Sequence, residues 1–236
     1  PHSEEEKGLR HQTNQEIRDA WIELTDLATL PVSRPFTATF TAPADPLPHQ
    51  LRIVQKAVES FPRGYLFADP VGFGKTVELG LTLRELFLSG RAKSALILVP
   101  ASVLQQWQEE LAEKIGLYVP RYDGESFQTL PQQKAGSKLP TPEDLIVPPG
   151  RNPWSAYPIV LASSHLARRK SRRKELLDAG PWDVVIVDEA HHARRRGSKS
   201  NDTPNSLLAL LLSMRDSNSW KALYLATATP MQMNPH

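Results

Sequence analysis

The sequence contains no cysteine and no long apolar run. Without cysteine among its 236 residues, disulfide scaffolds and zinc sites built on thiolates are excluded. The longest purely apolar run, Leu207–Leu212, is far shorter than the roughly 18–20 residues that span a bilayer, so no transmembrane helix is predicted. Pro1–Arg10 is acidic and polar and lacks the apolar core of a signal peptide. We therefore expect a cytoplasmic protein without a membrane partner.

An excess of charge of one sign is also missing, since 28 Lys and Arg residues face 26 Asp and Glu residues for a net charge of +2. The charges are unevenly spread, however. Residues 1–46 hold four basic and eight acidic residues, and residues 151–200 hold eleven basic and five acidic residues. The near-zero total therefore averages an acidic N-terminal segment with a basic second half, and it does not exclude a nucleic-acid partner.

The length fits one large domain with appendages. Apolar residues at helical spacing, among them Ile17, Trp21 and Leu24, predict an N-terminal helical extension over residues 1–30. Residues 31–48 contain five prolines and are predicted to be an extended linker before a main domain over residues 49–236. Inside that domain, residues 123–155 contain six prolines and three glycines without periodicity, which is typical of a functional insertion or a disordered loop.

Short apolar runs alternate with helical stretches along the main domain. Each run is too short for a helix and is bounded by turn or polar residues, as buried parallel strands are. The predicted strands are Gly64–Ala68, Ala95–Val99, Tyr157–Ala162, Val184–Val187 and Ala222–Ala226. The predicted helices lie near residues 49–60, 75–89, 102–115, 164–178 and 204–213. This alternation predicts a three-layer α/β fold with a parallel sheet.

The first predicted strand runs into a phosphate-loop pattern. The run Asp69–Thr76 contains Gly72, Phe73 and Gly74 before Lys75 and Thr76, and a predicted helix follows. The glycines allow backbone N–H groups to surround an anion, and the helix directs its positive end toward the same place. Lys75 would reach the β- and γ-phosphates of ATP, and the Thr76 hydroxyl would bind Mg²⁺. Asp69 stands where the strict pattern has glycine, and taken alone the run could be a surface turn.

A second motif follows the fourth predicted strand, where Val187 precedes Asp188 and Glu189. Carboxylates at the carboxyl end of a buried strand lie at the edge where α/β sheets bind ligands. Asp188 can hold Mg²⁺, and Glu189 can orient and deprotonate an attacking water. A lone Asp-Glu pair could be an ordinary exposed strand end, but together with the phosphate loop it predicts hydrolysis of ATP.

The order of these motifs resembles the first RecA-like lobe of superfamily-two helicases, specifically the Swi/Snf-like translocases of double-stranded DNA. The bacterial branch is most similar, with its RNA-polymerase-associated ATPases and phage-defence translocases. The resemblance covers residues 47–235 and includes a DEAH-box-like acidic motif. The segments that carry it are Leu47–Gln50, Asp69–Thr76, Leu98–Trp107, Asp188–His191 and Thr227–Pro230.

The resemblance implies roles for further residues. Gln50 would bind the adenine edge, although most isolated glutamines lie on a surface. Thr227 and Thr229 would couple the phosphate state to lobe movement, and His191 would link Glu189 to them; Thr227 could also be an ordinary strand-end hydroxyl. The segment that contains Ser102, together with Ser163 and Ser164, would contact the nucleic-acid backbone. We expect Trp107 to pack a helix on the sheet rather than to contact a base.

The sequence departs from the family pattern in two ways. Pro70 stands where the family usually has an acidic residue, and Phe73 where it has an aliphatic one. Pro70 precedes the phosphate cradle, so binding is expected to survive. The 236 residues do not include the family's second RecA-like lobe, whose arginines accelerate phosphoryl transfer by about 10³–10⁵ in related systems. We therefore expect a fragment or one subunit of a split enzyme, which needs a second lobe in cis or in trans.

Two basic clusters complete the pattern. Six of the seven residues from Arg168 to Lys174, including Arg169, are basic, and Arg194 opens a run of three arginines. Such a run is either a solvated helix face or a surface for phosphates, and no aromatic residue is interleaved to stack on bases. We therefore expect contacts to the backbone of duplex DNA, made by residues such as Arg168, Arg169 and Arg194.

The leading hypothesis is the Mg–ATP-binding lobe of a DNA-dependent ATPase that moves along duplex DNA. An RNA helicase lobe of the same superfamily is the second hypothesis. The third is a regulatory or scaffold subunit that binds nucleotide without turnover, against which the intact Glu189 argues.

Overall fold

A seven-stranded, mostly parallel sheet forms the centre of a computed structural model, which describes residues 37–69, 72, 74–130, 147, 150–196 and 203–228. Its strands are β1 (Tyr65–Phe67), β2 (Ala95–Val99), β3 (Arg121–Tyr122), β4 (Phe127–Gln128), β5 (Ile159–Ser163), β6 (Trp182–Val187) and β9 (Trp220–Ala226). They lie in the order β1-β9-β6-β2-β5-β3-β4, and every neighbouring pair is parallel except β3 and β4. A separate antiparallel pair joins β7 (Arg195–Arg196) to β8 (Thr203–Pro204).

The central strands are apolar along their whole length because both faces of the sheet are covered. In β2, Ile97 and Val99 point into one core, whereas Leu96 and Leu98 point into the other. The same alternation divides β6 between the two cores. Burial on both faces confirms the predicted three-layer α/β fold with a mostly parallel sheet.

Helices cover both faces of the sheet. On one side lie α1 (Thr37–Thr41), α2 (Pro48–Glu59), α3 (Lys75–Leu88) and α4 (Leu104–Glu110), the last of which continues as a π-helical turn, Leu111–Ile115. On the other side lie α5 (Ser164–Ala167), α6 (Lys170–Ala179) and α7 (Ser206–Asp216). Single 3₁₀ turns occur at Ala101–Val103, Pro153–Ser155 and Ala190–His192. Within the described ranges, no helix is long and apolar enough to cross a membrane.

The predicted extended linker is wrong in part, because residues 37–41 form the helix α1. Side chains of α3 hold this helix by bonding its backbone. The Glu85 carboxylate accepts a hydrogen bond from the Ala38 N–H at 2.7 Å, and the Arg84 guanidinium donates to the Ala38 carbonyl at 3.1 Å. Two polar side chains of α3 thus supply hydrogen-bond partners for the backbone of this helix, which at five residues is too short to be stable by itself. The predicted extension over residues 1–30 lies outside the described residues.

Two predicted helices are interrupted, and the predicted insertion is partly regular. The stretch near 164–178 divides into α5 and α6, and the stretch near 102–115 begins with a 3₁₀ turn. At the start of the insertion, Asp123 closes the β3–β4 turn by accepting hydrogen bonds from the N–H groups of Glu125 and Ser126, both at 2.8 Å. The strands β3 and β4 extend the sheet at its edge, where two-residue strands leave no apolar run in the sequence.

Candidate functional site

Two glycines in the loop between β1 and α3 have the backbone conformations that an anion cradle requires. Gly72 and Gly74 have φ angles of 86° and 84°, in the left-handed region that residues with a Cβ rarely adopt. The Gly74 carbonyl accepts the first hydrogen bonds of α3, from the N–H groups of Val77 at 2.8 Å and Glu78 at 3.1 Å. The positive end of a 14-residue helix therefore points at this loop. Phe73, also predicted to bind the cofactor, lies outside the described residues.

Lys75 and Thr76 form the first turn of α3, beside that cradle. The Lys75 ammonium donates a hydrogen bond to the Asp69 carbonyl at 2.7 Å, which folds its side chain back over the loop. Burial raises the pKa values of Glu78 and Asp188, and the positive charge of Lys75 is close enough to oppose part of that rise. The lysine therefore stands between the loop and the acidic motif, where phosphate charge could be neutralised.

Gln50 packs directly against the loop. It lies in the first turn of α2, is 5% exposed, and its side-chain oxygen accepts a hydrogen bond from the Leu47 N–H at 2.9 Å. A Cβ atom at position 74 would collide with the Gln50 side-chain amide. The predicted adenine contact thus lies beside the phosphate loop and is buried, unlike an ordinary surface glutamine.

Asp188 follows β6 at the carboxyl edge of the sheet, and both oxygens of its carboxylate are engaged. The Glu189 N–H donates to Oδ1 at 2.8 Å, and the Trp107 indole N–H donates to Oδ2 at 2.9 Å. Burial raises the pKa of Asp188, and the charge of Glu189 raises it further; the two hydrogen bonds and Lys75 oppose this shift. A carboxylate in this environment gains from a cation beside it.

Glu189 has a φ of 50°, one of two positive values at non-glycine residues in the described part of the chain. Such backbone strain costs about 1–3 kcal/mol and persists only where the surroundings enforce it. Its Oε2 atom lies 3.0 Å from His191 Nδ1, within ion-pair distance but without the angles of a hydrogen bond. The strained turn therefore directs the Glu189 carboxylate toward His191.

His191 also connects this motif to the end of β9. Its Nδ1 atom lies 3.0 Å from the Thr227 hydroxyl, and the buried Thr227 donates its N–H to the Phe67 carbonyl at 3.0 Å. The structure thus brings together Glu189, His191 and Thr227, as the family resemblance implied. Thr229 lies outside the described residues.

A cleft of about 330 Å³ opens beside the two carboxylates. Its lining is mostly polar and carries both signs of charge. The lining residues are Pro100, Ser102, Ser164, His165, Arg168, Asp188, Glu189, His192, Arg194, Asn205 and Leu207. Four residues predicted to contact nucleic acid, Ser102, Ser164, Arg168 and Arg194, therefore share one cleft with the acidic motif.

Two other residues predicted to contact nucleic acid are placed differently. The Ser163 hydroxyl caps α5 by accepting a hydrogen bond from the Leu166 N–H at 3.1 Å, and Ser163 does not line the cleft. Arg169 is exposed at the N-terminus of α6, outside the cleft lining. Ser163 therefore has a structural contact, whereas Arg169 faces solvent.

The basic run at α6 divides into two groups. Arg172 pairs with Glu175 at 3.3 Å and donates to the Gly124 carbonyl at 2.5 Å. Arg173 donates to the Ala209 carbonyl and the Ser213 hydroxyl of α7. These two arginines hold α6 against its neighbours, so fewer basic side chains are available to bind phosphates than the six in the sequence imply.

Three features of the site escape the sequence prediction. The Trp107 indole reaches Asp188 across 81 positions, Glu78 is fully buried below the phosphate loop, and Asn205 donates to the His192 carbonyl at 2.5 Å. Of these three, the sequence could have indicated only that Glu78 lies near the site, because Glu78 is one helical turn after Lys75. No group of three His, Cys, Asp or Glu residues in the described ranges could hold a metal by itself.

Comparisons with known proteins agree with this geometry. The family model described as SNF2-related domain matches residues 48–236. An uncharacterized ATP-dependent helicase, YqhH, of Bacillus subtilis is 36% identical over 187 residues, which are 79% of this chain and 27% of that protein. The RNA polymerase-associated protein RapA of Sodalis glossinidius is 32% identical over 187 residues, which are 79% of this chain and 17% of RapA. The chain thus spans a small part of the curated relatives that it matches.

Two solved structures support the fold. The SWI2/SNF2 ATPase core of Sulfolobus solfataricus in complex with double-stranded DNA has a TM-score of 0.55 at 18% identity, over 85% of this chain and 35% of that one. The same core domain in a second structure gives 0.54 at 19% identity, over 86% of this chain and 35% of that one. The match of the family model over residues 48–236 confirms the predicted resemblance: this chain belongs to the SNF2-related domain family of helicase-like ATPase domains.

Proposed function

We propose that this chain is the first, ATP-binding RecA-like lobe of a DNA-dependent ATPase that moves along duplex DNA. One observation carries the proposal: the phosphate loop, the acidic motif and Thr227 meet at the carboxyl edge of one sheet. There His191 Nδ1 lies 3.0 Å from both Glu189 and Thr227. Ligands of α/β sheets bind at this edge.

The residues present fit ATP and Mg²⁺. The space beside Gly72 holds no described atom within 4 Å of its Cβ position, and hard oxygen donors on Thr76 and Asp188 suit Mg²⁺, which is usually held by one or two carboxylates together with substrate phosphates. Loop N–H groups and Lys75 would hold the β- and γ-phosphates. Mg²⁺ would neutralise the charge that develops during phosphoryl transfer. Gln50 would contact the base.

Glu189 is the group that would orient the attacking water and accept its proton. The contact with His191 would pass a change at Glu189 to Thr227 and so to the end of β1, which Thr227 bonds through the Phe67 carbonyl. Movement of this segment would then couple the state of the phosphates to a second lobe, in cis or in trans.

The cleft is the proposed contact with DNA. Arg168 and Arg194 line it with two serine hydroxyls, which is the donor set that binds phosphate backbone without reading bases. Double-stranded DNA in the complex of the Sulfolobus core supports a duplex rather than a single strand.

Nucleotide binding tests the first half of the proposal. We expect Lys75→Ala to weaken binding of Mg–ATP to the 236-residue chain at least tenfold, because its ammonium is the cation beside the phosphate loop. Lys114→Ala is the matched control, since Lys114 is half-exposed and pairs with Glu110 at 3.5 Å on the surface. Equal affinities for both variants would refute the phosphate-loop assignment.

Nucleic-acid binding and turnover test the second half. We expect Arg168→Ala with Arg194→Ala to weaken binding of duplex DNA and to flatten its salt dependence, whereas Arg215→Ala, which breaks a surface pair with Asp216, leaves both unchanged. In a protein with both lobes, stimulation of ATP hydrolysis by RNA instead of duplex DNA would favour the RNA helicase alternative. No phosphate release with either would favour a regulatory subunit.

A further inference from the structure

The carboxylate of Asp188 is held from two directions. Its Oδ1 atom accepts a hydrogen bond from the adjacent Glu189 N–H, a contact within the same turn of backbone. Its Oδ2 atom accepts one from Trp107, which comes from α4 and lies 81 positions away in the sequence. The first bond only ties the side chain to its own loop, so the second is the one that fixes the carboxylate relative to the rest of the fold.

The Trp107 side chain has no freedom to follow a moving partner. It is 4% exposed and belongs to the core between α3 and the sheet, together with Val99 and Leu111. An indole has a single N–H and no acceptor, so its one polar atom is committed to Asp188. Close packing keeps the ring in one rotamer. The indole is thus a rigid donor pointed at a carboxylate.

We propose that Trp107 is a positioning residue for magnesium: it orients the Asp188 carboxylate so that the remaining lone pairs face the Mg²⁺ of bound Mg–ATP. This inference rests on the proposed function, in which Asp188 is the metal-binding carboxylate. Partners of this kind, hydrogen-bonded to a ligating group, set its orientation, and their loss typically lowers metal affinity roughly 10–100-fold.

The position of α4 adds a structural consequence. The helix follows directly from the 3₁₀ turn that contains Ser102, and Ser102 lines the cleft beside Asp188. The proposed magnesium ligand is therefore attached, through Trp107, to the helix that directly follows this cleft-lining turn.

Trp107→Phe tests the inference because it keeps an aromatic ring in the core and removes the N–H donor. We measure the binding of ADP to the 236-residue chain with and without Mg²⁺. We expect the Mg²⁺ concentration needed for half-maximal binding to rise roughly 10–100-fold, while binding without Mg²⁺ stays within about twofold, since no phosphate contact of the loop is altered. Trp154→Phe is the matched control: Trp154 is also fully buried, and its indole also donates to a carboxylate, Glu175 at 3.2 Å.

Indole resonances give a second readout that does not depend on nucleotide turnover. The chain has five tryptophans, and a ¹H–¹⁵N spectrum resolves each indole N–H. We expect the Trp107 resonance to move on addition of Mg–ADP and in Asp188→Asn, and the Trp154 resonance to stay. If Trp107→Phe does not fold, single Phe replacements of the other four tryptophans assign the Trp107 resonance by elimination.

The outcomes distinguish failure of the positioning role from failure of the proposed function. Unchanged Mg²⁺ dependence in Trp107→Phe, with a wild-type chain that binds ADP in a Mg²⁺-dependent way, overturns the positioning role and leaves the proposed function intact. A Trp107 resonance that ignores both Mg–ADP and Asp188→Asn overturns it as well. A wild-type chain without Mg²⁺-dependent binding overturns the proposed function itself.

Discussion

Glu78 gives the chain a pH-dependent stability that replacement by glutamine should remove. Its side chain is fully buried one helical turn after Lys75 and lies beside the carboxylate of Asp69. Burial, together with the nearby negative charge of Asp69, raises the pKa of Glu78 from 4.5 to about 8, against the smaller opposing effect of Lys75. The folded chain therefore holds a neutral carboxylic acid here at neutral pH.

The sign of the effect follows from proton binding in the two states. Between pH 4.5 and about 8, the folded chain keeps the Glu78 proton and the unfolded chain does not. The free energy of unfolding therefore falls as the pH rises through this window and levels off above it. At about 1.36 kcal/mol per pKa unit the full shift corresponds to about 5 kcal/mol. The protein relaxes around the charged form of Glu78, which is why buried sites behave as if their dielectric constant were high. This relaxation reduces the expected loss of unfolding free energy to about 2–4 kcal/mol.

Urea unfolding of the nucleotide-free chain at several pH values between 5 and 9 measures this slope. We expect Glu78→Gln to lose about 2–4 kcal/mol less than the wild-type chain across that range, because the amide does not ionise. The same replacement at the exposed Glu113 is the control and should leave the wild-type pH dependence unchanged. Parallel curves for wild type and Glu78→Gln would refute the claim that Glu78 is a buried neutral acid.

Three further predictions concern single side chains. Tyr224→Phe should stabilise the chain by about 1 kcal/mol in thermal unfolding, because the buried hydroxyl has no hydrogen-bond partner in the described structure; a lower melting temperature would contradict this. Gly74→Ala should lower nucleotide affinity more than tenfold in a binding titration, because the new Cβ, at a φ of 84°, collides with Gln50. Gly90→Ala is the control for backbone strain alone, since Gly90 has a φ of 68° and its Cβ position lies in open space. Burial would raise the pKa of Asp183, but hydrogen bonds from Lys221 and from two backbone N–H groups outweigh it and hold the pKa below its ordinary value. Asp183→Asn should therefore destabilise the chain by about 1–3 kcal/mol at pH 7, and the difference from wild type in urea unfolding should shrink as the pH falls through the lowered pKa.

Much of the sheet could be predicted from the sequence, because buried parallel strands leave continuous apolar runs. The run Ala95–Val99 coincides with β2 from end to end, and all five predicted strands are present with shifts of at most two residues. The strands β3 and β4 could not be predicted, since two residues carry no periodicity. The helix α1 also escaped prediction, because its support comes from Glu85 and Arg84 far along the chain.

The site was predictable to the extent that its chemistry lies in contiguous motifs. The resemblance correctly implied that His191 lies between Glu189 and Thr227, because motif order carries that information. The indole of Trp107 was expected to pack a helix on the sheet, and it does, but its bond to Asp188 depends on the register between α4 and β6. Nothing in the sequence separates Arg172 and Arg173, which hold α6 in place, from the exposed charges beside them.

The position of His191 has a consequence for how this lobe could hold two states. A ring nitrogen carries at most one hydrogen, yet Nδ1 lies 3.0 Å from both the Glu189 carboxylate and the Thr227 hydroxyl. With hydrogen on Nδ1, the ring can donate to Thr227, as the geometry of the structure allows, or to Glu189 after that carboxylate has moved into hydrogen-bonding geometry. Without that hydrogen, Nδ1 accepts from Thr227 alone. The hydrogen-bond partner of His191 would therefore depend on where the Glu189 carboxylate lies. A ligand that draws Glu189 aside would leave His191 bonded to Thr227, whose N–H donates to the Phe67 carbonyl at the end of β1, shortly before the phosphate loop.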